Sequence, residues 1–161
     1  MSKRVLRVEG SFCAAHMLPR HEGLCRNLHG HNYKVELEVG YDEVPAGKLF
    51  AADFGVIKSR LRELLSAYDH SLLLAKDTPE ELYHLCNAQK WRFNFLGDDT
   101  TAESICHELL LYICIWPEIQ ELPIPYTITI KVWESPTAWA SEERIYGKLE
   151  SERDLRSDDS G

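Results

Sequence analysis

The sequence predicts an α+β fold: a four-stranded antiparallel sheet in the order strand–strand–helix–helix–strand–strand, with two helices on one face. Three observations carry this reading. "HNYKVELEV" alternates polar and apolar residues over a full strand length, and "YTITIKVWES" does the same near the far end. Between them, two stretches carry apolar residues at helical spacing behind capping residues. A chain of 161 residues with 44% hydrophobic and 27% charged content suits one domain with its own core. A single domain is expected over residues 1–150, followed by a polar, disordered tail over 151–161.

Each element has its own signal. "RVLRVEGSFCAAHML" reads as a first strand running to about His16, and "PRHEGLCRNLHG" as a polar loop punctuated by Pro19, Gly23 and Gly30. In the second strand Tyr33, Val35, Leu37 and Val39 share one face, opposite Asn32, Lys34, Glu36 and Glu38. "DEVPAGK" is a turn, and "LFAAD" a short extended return. Asp53 then caps a helix whose apolar stripe is Phe54, Ile57, Leu61, Leu64 and Leu65. A long link over 76–99 has no assigned structure. Thr100 starts a second helix, with Glu103 at the capping-box spacing and Ile105, Leu109 and Ile113 on its buried face. Tyr126, Ile128, Ile130 and Val132 line one face of the third strand, and "SEERIYGKLE" is the last.

Composition narrows the function classes. The net charge of -8 argues against nucleic acid as a partner, although local basic residues can still hold a small anion. No apolar run reaches the roughly 18 residues of a membrane span, and "MSKRVLRVEG" lacks the apolar core of a secretory signal, so a cytoplasmic location is expected. The five cysteines follow no regular spacing and are expected to be thiols. Cys25, followed by Arg26 and Asn27, is the exception to an apolar setting.

The chemistry concentrates in "CRNLHGHNY". Residues two apart on a strand project to the same side, roughly 6.5–7 Å apart. His29 and His31 therefore point together, on the apolar side shared with Tyr33 and Val35. Two imidazoles aimed at one point suit zinc, which in catalytic sites takes three protein ligands and keeps a fourth position open. His16, at the end of the first strand, is the natural third ligand once that strand pairs with the second; His21 ranks behind it. A lone His-x-His is more often an ordinary strand end, and it is the third histidine and the nearby thiol that favour metal. His84 and His107 lack this context.

"FCAAHML", "CRNLHGHNYKVELEV", "ADFGVIK", "YDHSLLL", "TTAES" and "VWES" occur in the order found in the 6-pyruvoyltetrahydropterin and 6-carboxytetrahydropterin synthase family, over about residues 5 to 149. The resemblance implies the tunnelling fold, whose subunits form a trimeric barrel, often as a dimer of trimers. It implies zinc on His16, His29 and His31, a catalytic cysteine at Cys25 and a catalytic pair at Asp69 and His70. It also implies a pterin-anchoring carboxylate at Glu134, with Thr100, Thr101 and Glu103 helping to cradle the ring. The "C-RNL-HGH" spacing resembles the 6-carboxy branch of the queuosine pathway; animal-type 6-pyruvoyl enzymes carry a longer gap. The implied reaction converts 7,8-dihydroneopterin triphosphate to 6-carboxytetrahydropterin, releasing acetaldehyde and triphosphate.

The residue types suit that chemistry. A thiolate accepts a proton from carbon, an aspartate-oriented histidine shuttles another, and a carboxylate accepts paired N–H bonds from a pterin edge. Asp69 and His70 are adjacent and must sit in a turn to act together, since strand neighbours point apart. Asp69 has a plainer role as a helix-terminal turn residue, Glu134 as an exposed strand end, and Glu103 as a capping partner of Thr100. For the triphosphate, Arg20, Arg26 and Lys34 are the nearby cations. The alternatives are a 6-pyruvoyltetrahydropterin synthase, a non-catalytic pterin- or zinc-binding module, and, more weakly, a zinc hydrolase.

Overall fold

The computed structural model describes residues 4–147, and the predicted polar tail lies outside them. In chain order the elements are β1 (Arg4–His16), β2 (His29–Tyr41), α1 (Phe54–Ser66), β3 (Ser71–Leu74), α2 (Glu80–Gln89), β4 (Phe93–Phe95), α3 (Ala102–Ile113), α4 (Pro117–Gln120), β5 (Tyr126–Ser135) and β6 (Ala138–Tyr146). A single 3₁₀ turn, Leu24–Arg26, interrupts the loop between β1 and β2.

The four predicted strands form an antiparallel array in which β1 pairs with β2, β2 with β5 and β5 with β6. Two short strands extend it to six in the order β4-β3-β1-β2-β5-β6, with β3 parallel to β1 and β4 parallel to β3. The sequence reading does not contain these two. "SLLL" and "FNF" are too short to display a period of two, and the first is apolar without alternation, as parallel strands are. The long link also holds a third helix, α2. Its only fully buried residue is Cys86, so it shows no apolar stripe. "LFAAD" is not a strand: its backbone bends, and Ala51 and Ala52 fill the core from a loop.

Residues of even number in β1, from Leu6 to His16, share one face with odd-numbered residues of β2, from His29 to Val39. Helices α1 and α3 cover that face, α1 against β1 and α3 against β5 and β6. Asp53 caps α1 as predicted, accepting from Gly55 N at 2.7 Å and Val56 N at 3.1 Å. Of its predicted stripe, Ile57, Leu61 and Leu65 are buried, whereas Phe54, at the exposed first turn, is turned out. The helix comes so near β1 at Gly10 that a Cβ there would lie 2.8 Å from Leu65 Cδ1. A side chain at that position would force Leu65 to shift.

The fully buried Leu61 lies in this contact. Leu61→Ala is expected to cost about 2–5 kcal/mol, seen as a lower midpoint in urea unfolding with the slope unchanged.

Candidate functional site

The pairing of β1 with β2 sets the site. His16 lies opposite His29, and Ala14 opposite His31, so three imidazoles meet at one end of the sheet on the helix-covered face. His16 Nε2 lies 3.2 Å from His29 Nε2, and Glu134 Oε1, from the end of β5, lies 3.5 Å from both His16 Nε2 and His31 Nε2. One donor atom from each histidine falls within 4.8 Å of the others.

Hydrogen bonds decide the tautomers. The Nδ1–H of His16 donates to the Thr100 carbonyl at 2.8 Å, and that of His29 to the Asn27 carbonyl at 2.7 Å. A carbonyl only accepts, so each Nδ1 carries a proton, and in a neutral ring the facing Nε2 is a bare lone pair. His31 Nε2 is buried without a hydrogen-bond partner. Burial, above all, lowers the pKa of His16, with the neighbouring imidazoles adding to the effect against the Thr100 bond and Glu134. The neutral form of His16 is therefore favoured more than that of a free imidazole. In their neutral forms His16 and His29 turn lone pairs toward the unpartnered His31 Nε2 and the Glu134 carboxylate. Such a donor set suits a divalent metal that takes imidazole nitrogen.

Tyr33 closes the site from below, its ring centroid 5.4 Å from that of His31 and stacked on Phe12 at 4.9 Å. Burial, and then the Glu134 charge, pushes its phenol well above the ordinary value, so it stays neutral.

Asp69 and His70 form the turn that adjacency demanded. His70 has φ of 53°, which breaks the extended path and lets the neighbouring side chains meet, with Nδ1 at 2.9 Å from Asp69 Oδ2. The turn is clipped to β1 twice: Cys13 N–H donates to Asp69 Oδ1 at 2.8 Å, and His70 N–H to the Cys13 carbonyl at 2.7 Å. The Cys13 bond, followed by that from His70, holds the Asp69 carboxyl below the usual range. With Asp69 accepting at Nδ1, His70 keeps Nε2 for a proton.

Two clefts flank His31. One, of about 700 Å³, is lined by Cys13, His70, Trp91 and Arg92 among others; the second, of about 660 Å³, by Lys34, Trp133, Glu134 and Ser135. Gly30, His31 and Asn32 line both. The structure thus brings His16, His29, His31 and Glu134 together and sets His70 in the adjoining cleft. It does not bring Cys25 there. That residue is half-buried in the Leu24–Arg26 turn, its carbonyl held by Leu18 N–H at 2.9 Å, and it lines neither cleft. His21 is also apart from the donor set and accepts from Gly23 N–H instead.

The start of α3 requires a correction. The N-cap is Thr101, not Thr100, and its hydroxyl accepts from Ser104 N–H at 3.3 Å, so Glu103 has no capping-box role and is exposed. The reason is Asp99, which accepts from Thr101 N–H at 3.0 Å and from the hydroxyls of Thr101 and Ser104, and so shifts the cap by one residue. Burial acts to raise the Asp99 pKa, but these bonds prevail and hold it low. Thr100 is freed to bridge: its hydroxyl donates to the Met17 carbonyl at 3.0 Å while its own carbonyl orients His16. Asp99, Asn27, Tyr33, Cys13 and Arg92 carry no site role in the reading from sequence. For Asp99 alone a local signal existed, an acidic residue directly before "TTAES".

Comparison with known proteins decides the family. The family model described as "PTPS: 6-pyruvoyl tetrahydropterin synthase" matches residues 5–144. The chain belongs to this family.

Tetrahydropterin synthases are enzymes, and curated members resemble this chain along most of its length. The 6-carboxy-5,6,7,8-tetrahydropterin synthase of Synechocystis is 38% identical over 84% of this chain and 90% of its own. The protein of the same name from Haemophilus influenzae is 32% identical over 81% of this chain and 92% of its own. Among solved structures, 6-pyruvoyl tetrahydropterin synthase of Plasmodium falciparum superposes with a TM-score of 0.67 at 23% identity, covering 91% of this chain and all of that one, a likeness of fold. No described helix is long and apolar enough to cross a membrane.

Because the folded pKa of Asp69 is depressed, its contribution to stability is full above the unfolded value of about 3.9 and is lost as pH falls through the folded value. Melting temperature followed from pH 6 to pH 2 should fall less steeply for Asp69→Asn than for the wild type; parallel curves would show that ionisation of Asp69 adds no stability. Asp99→Ala should cost about 1 kcal/mol in chemical unfolding, through loss of the cap network.

Proposed function

We propose that the chain is a zinc-dependent 6-carboxytetrahydropterin synthase that converts 7,8-dihydroneopterin triphosphate to 6-carboxy-5,6,7,8-tetrahydropterin with release of acetaldehyde and triphosphate. The observation that carries this reading is the convergence of three Nε2 atoms and one carboxylate, flanked by two clefts and set in a tetrahydropterin synthase. Zinc would be held by His16, His29 and His31. When bound, it supplies a Lewis acid for the hydroxyls of the substrate side chain.

The remaining work falls to the chain's own residues. Glu134 accepts the amino and lactam N–H groups of the pterin, a directional charge-assisted pair. His70, with Nδ1 tied to Asp69, takes a side-chain proton at Nε2. Cys25 carries the second proton transfer; the turn that holds it leads directly into His29. In this reading the protein works in the cytoplasm, in the queuosine pathway, as a trimer or dimer of trimers. The barrel is supported by β6, which among the described residues has a partner on one side only. Glu103, exposed on α3, and Thr101 beside it are then available to the pterin of a neighbouring subunit.

A second reading, 6-pyruvoyltetrahydropterin formation, is favoured by the family description and by the names of the solved structures. Product analysis after incubation with 7,8-dihydroneopterin triphosphate separates the two: the 6-carboxy product with acetaldehyde supports the first, and a pyruvoyl product without acetaldehyde supports the second. Cys25→Ala should cut turnover by roughly 10²-fold or more while one zinc per chain is retained. His31→Ala should lose the metal and the activity together. Turnover that survives in Cys25→Ala would remove the thiol from the mechanism.

A further inference from the structure

Glu134 is under two incompatible demands. Its Oε1 lies 3.5 Å from both His16 Nε2 and His31 Nε2, close enough to become a fourth protein ligand to a metal on the three histidines. Zinc with three imidazoles and a carboxylate is four-coordinate and closed, whereas a catalytic site keeps one position open. A carboxylate engaged on a metal is also a poorer acceptor for any other donor. A hydrogen-bond donor on the far side of Glu134 would resolve the conflict.

Most donors nearby are already engaged. His16 and His29 use their Nδ1–H groups on the Thr100 and Asn27 carbonyls, and the Thr100 hydroxyl donates to the Met17 carbonyl. Lys34 is held by Glu9 and Glu36 at 3.0 Å each. Two buried donor atoms in this part of the sheet have no partner among the described residues: Trp133 Nε1 and the Tyr33 hydroxyl. Parity excludes Trp133. It precedes Glu134 on β5 and so projects to the other face, where its ring lies beside Trp139 and under Lys131 Nζ. Tyr33 is on the correct face. The register sets Lys34 opposite Trp133, so the next residue on each strand, Tyr33 and Glu134, are cross-strand neighbours on the helix-covered side. Tyr33 is fully buried and held in place, stacked on Phe12 at 4.9 Å, with ring centroids 5.4 Å from His31 and 6.1 Å from His16. A phenol keeps its proton at neutral pH, and a buried hydroxyl without an acceptor is destabilising.

We propose that Tyr33 is a positioning residue: in the metal-loaded chain its hydroxyl donates to the Glu134 carboxylate, holding that carboxylate off the metal and available as an acceptor. This rests on the zinc-dependent reading above. The movement required is a side-chain rotation of Glu134, which is only half-buried; Tyr33 stays fixed and transfers no proton.

The test measures the zinc dissociation constant of the full chain by competition with a chromophoric chelator, for the wild type, Tyr33→Phe, Glu134→Gln and the variant carrying both changes. Tyr33→Phe keeps the ring and its stacking and removes only the hydroxyl. With the restraint gone, Glu134 joins the metal, and zinc should bind roughly 10-fold tighter, the scale of an outer-shell hydrogen bond at a metal site. The gain should vanish when Glu134→Gln is added. A purely structural role for the phenol would not tighten zinc binding through Glu134. Unchanged or weaker zinc binding in Tyr33→Phe overturns the proposal, as does a gain that persists in the variant carrying both changes. If the wild type takes up no zinc, the zinc reading itself fails, and this proposal falls with it.

Discussion

The structure turns on one electrostatic constraint. Three imidazole nitrogens and one carboxylate oxygen are held within a few ångströms of one another in a largely buried corner. Acceptors crowded in this way are unfavourable by themselves, and the surrounding contacts make sense as the means of holding them there. The Thr100 and Asn27 carbonyls fix the tautomers, Tyr33 and Phe12 supply a rigid apolar floor, and the register of β1 with β2 sets the spacing. A bound cation turns this repulsion into coordination, and the apo form should be the less stable state.

Rigidity reaches the corner from two sides. From below, α1 packs against β1 at Gly10, with Leu61 and Leu65 filling the space that a side chain would take. From the side, Asp99 organises the first turn of α3, which positions Thr100, which in turn holds His16. The second clip, from Cys13 to Asp69 and His70, ties that pair to the strand that carries His16. Strand β1 thus positions both His16 and the Asp69–His70 pair.

Much of this was legible in the sequence because it follows from the two-residue period of a strand. The shared side of His29 and His31, the pairing of His16 beside them and the buried faces of β1, β2 and β5 all follow from parity. The turn at Asp69–His70 was legible from a negative argument, since adjacent strand residues cannot cooperate. What was hidden depends on contacts distant in the chain or on elements too short to show a period. Strands β3 and β4 reveal themselves only by pairing with β1, and α2 buries too little to leave a stripe. The one-residue shift of the α3 cap came from a competing acceptor, Asp99, whose preference over the Thr100–Glu103 box is a matter of three-dimensional fit. Cys25 stood out by its polar neighbours, yet nothing local says that its turn lies off both clefts.

The central claim, that three imidazoles define a preorganised metal centre, is tested most directly by zinc K-edge X-ray absorption on the purified, zinc-loaded chain. The account predicts three imidazole nitrogen donors at about 2.0–2.1 Å and no sulfur in the coordination sphere. A sulfur donor at about 2.3 Å, which would make Cys25 a ligand, or fewer than three imidazoles, would contradict it.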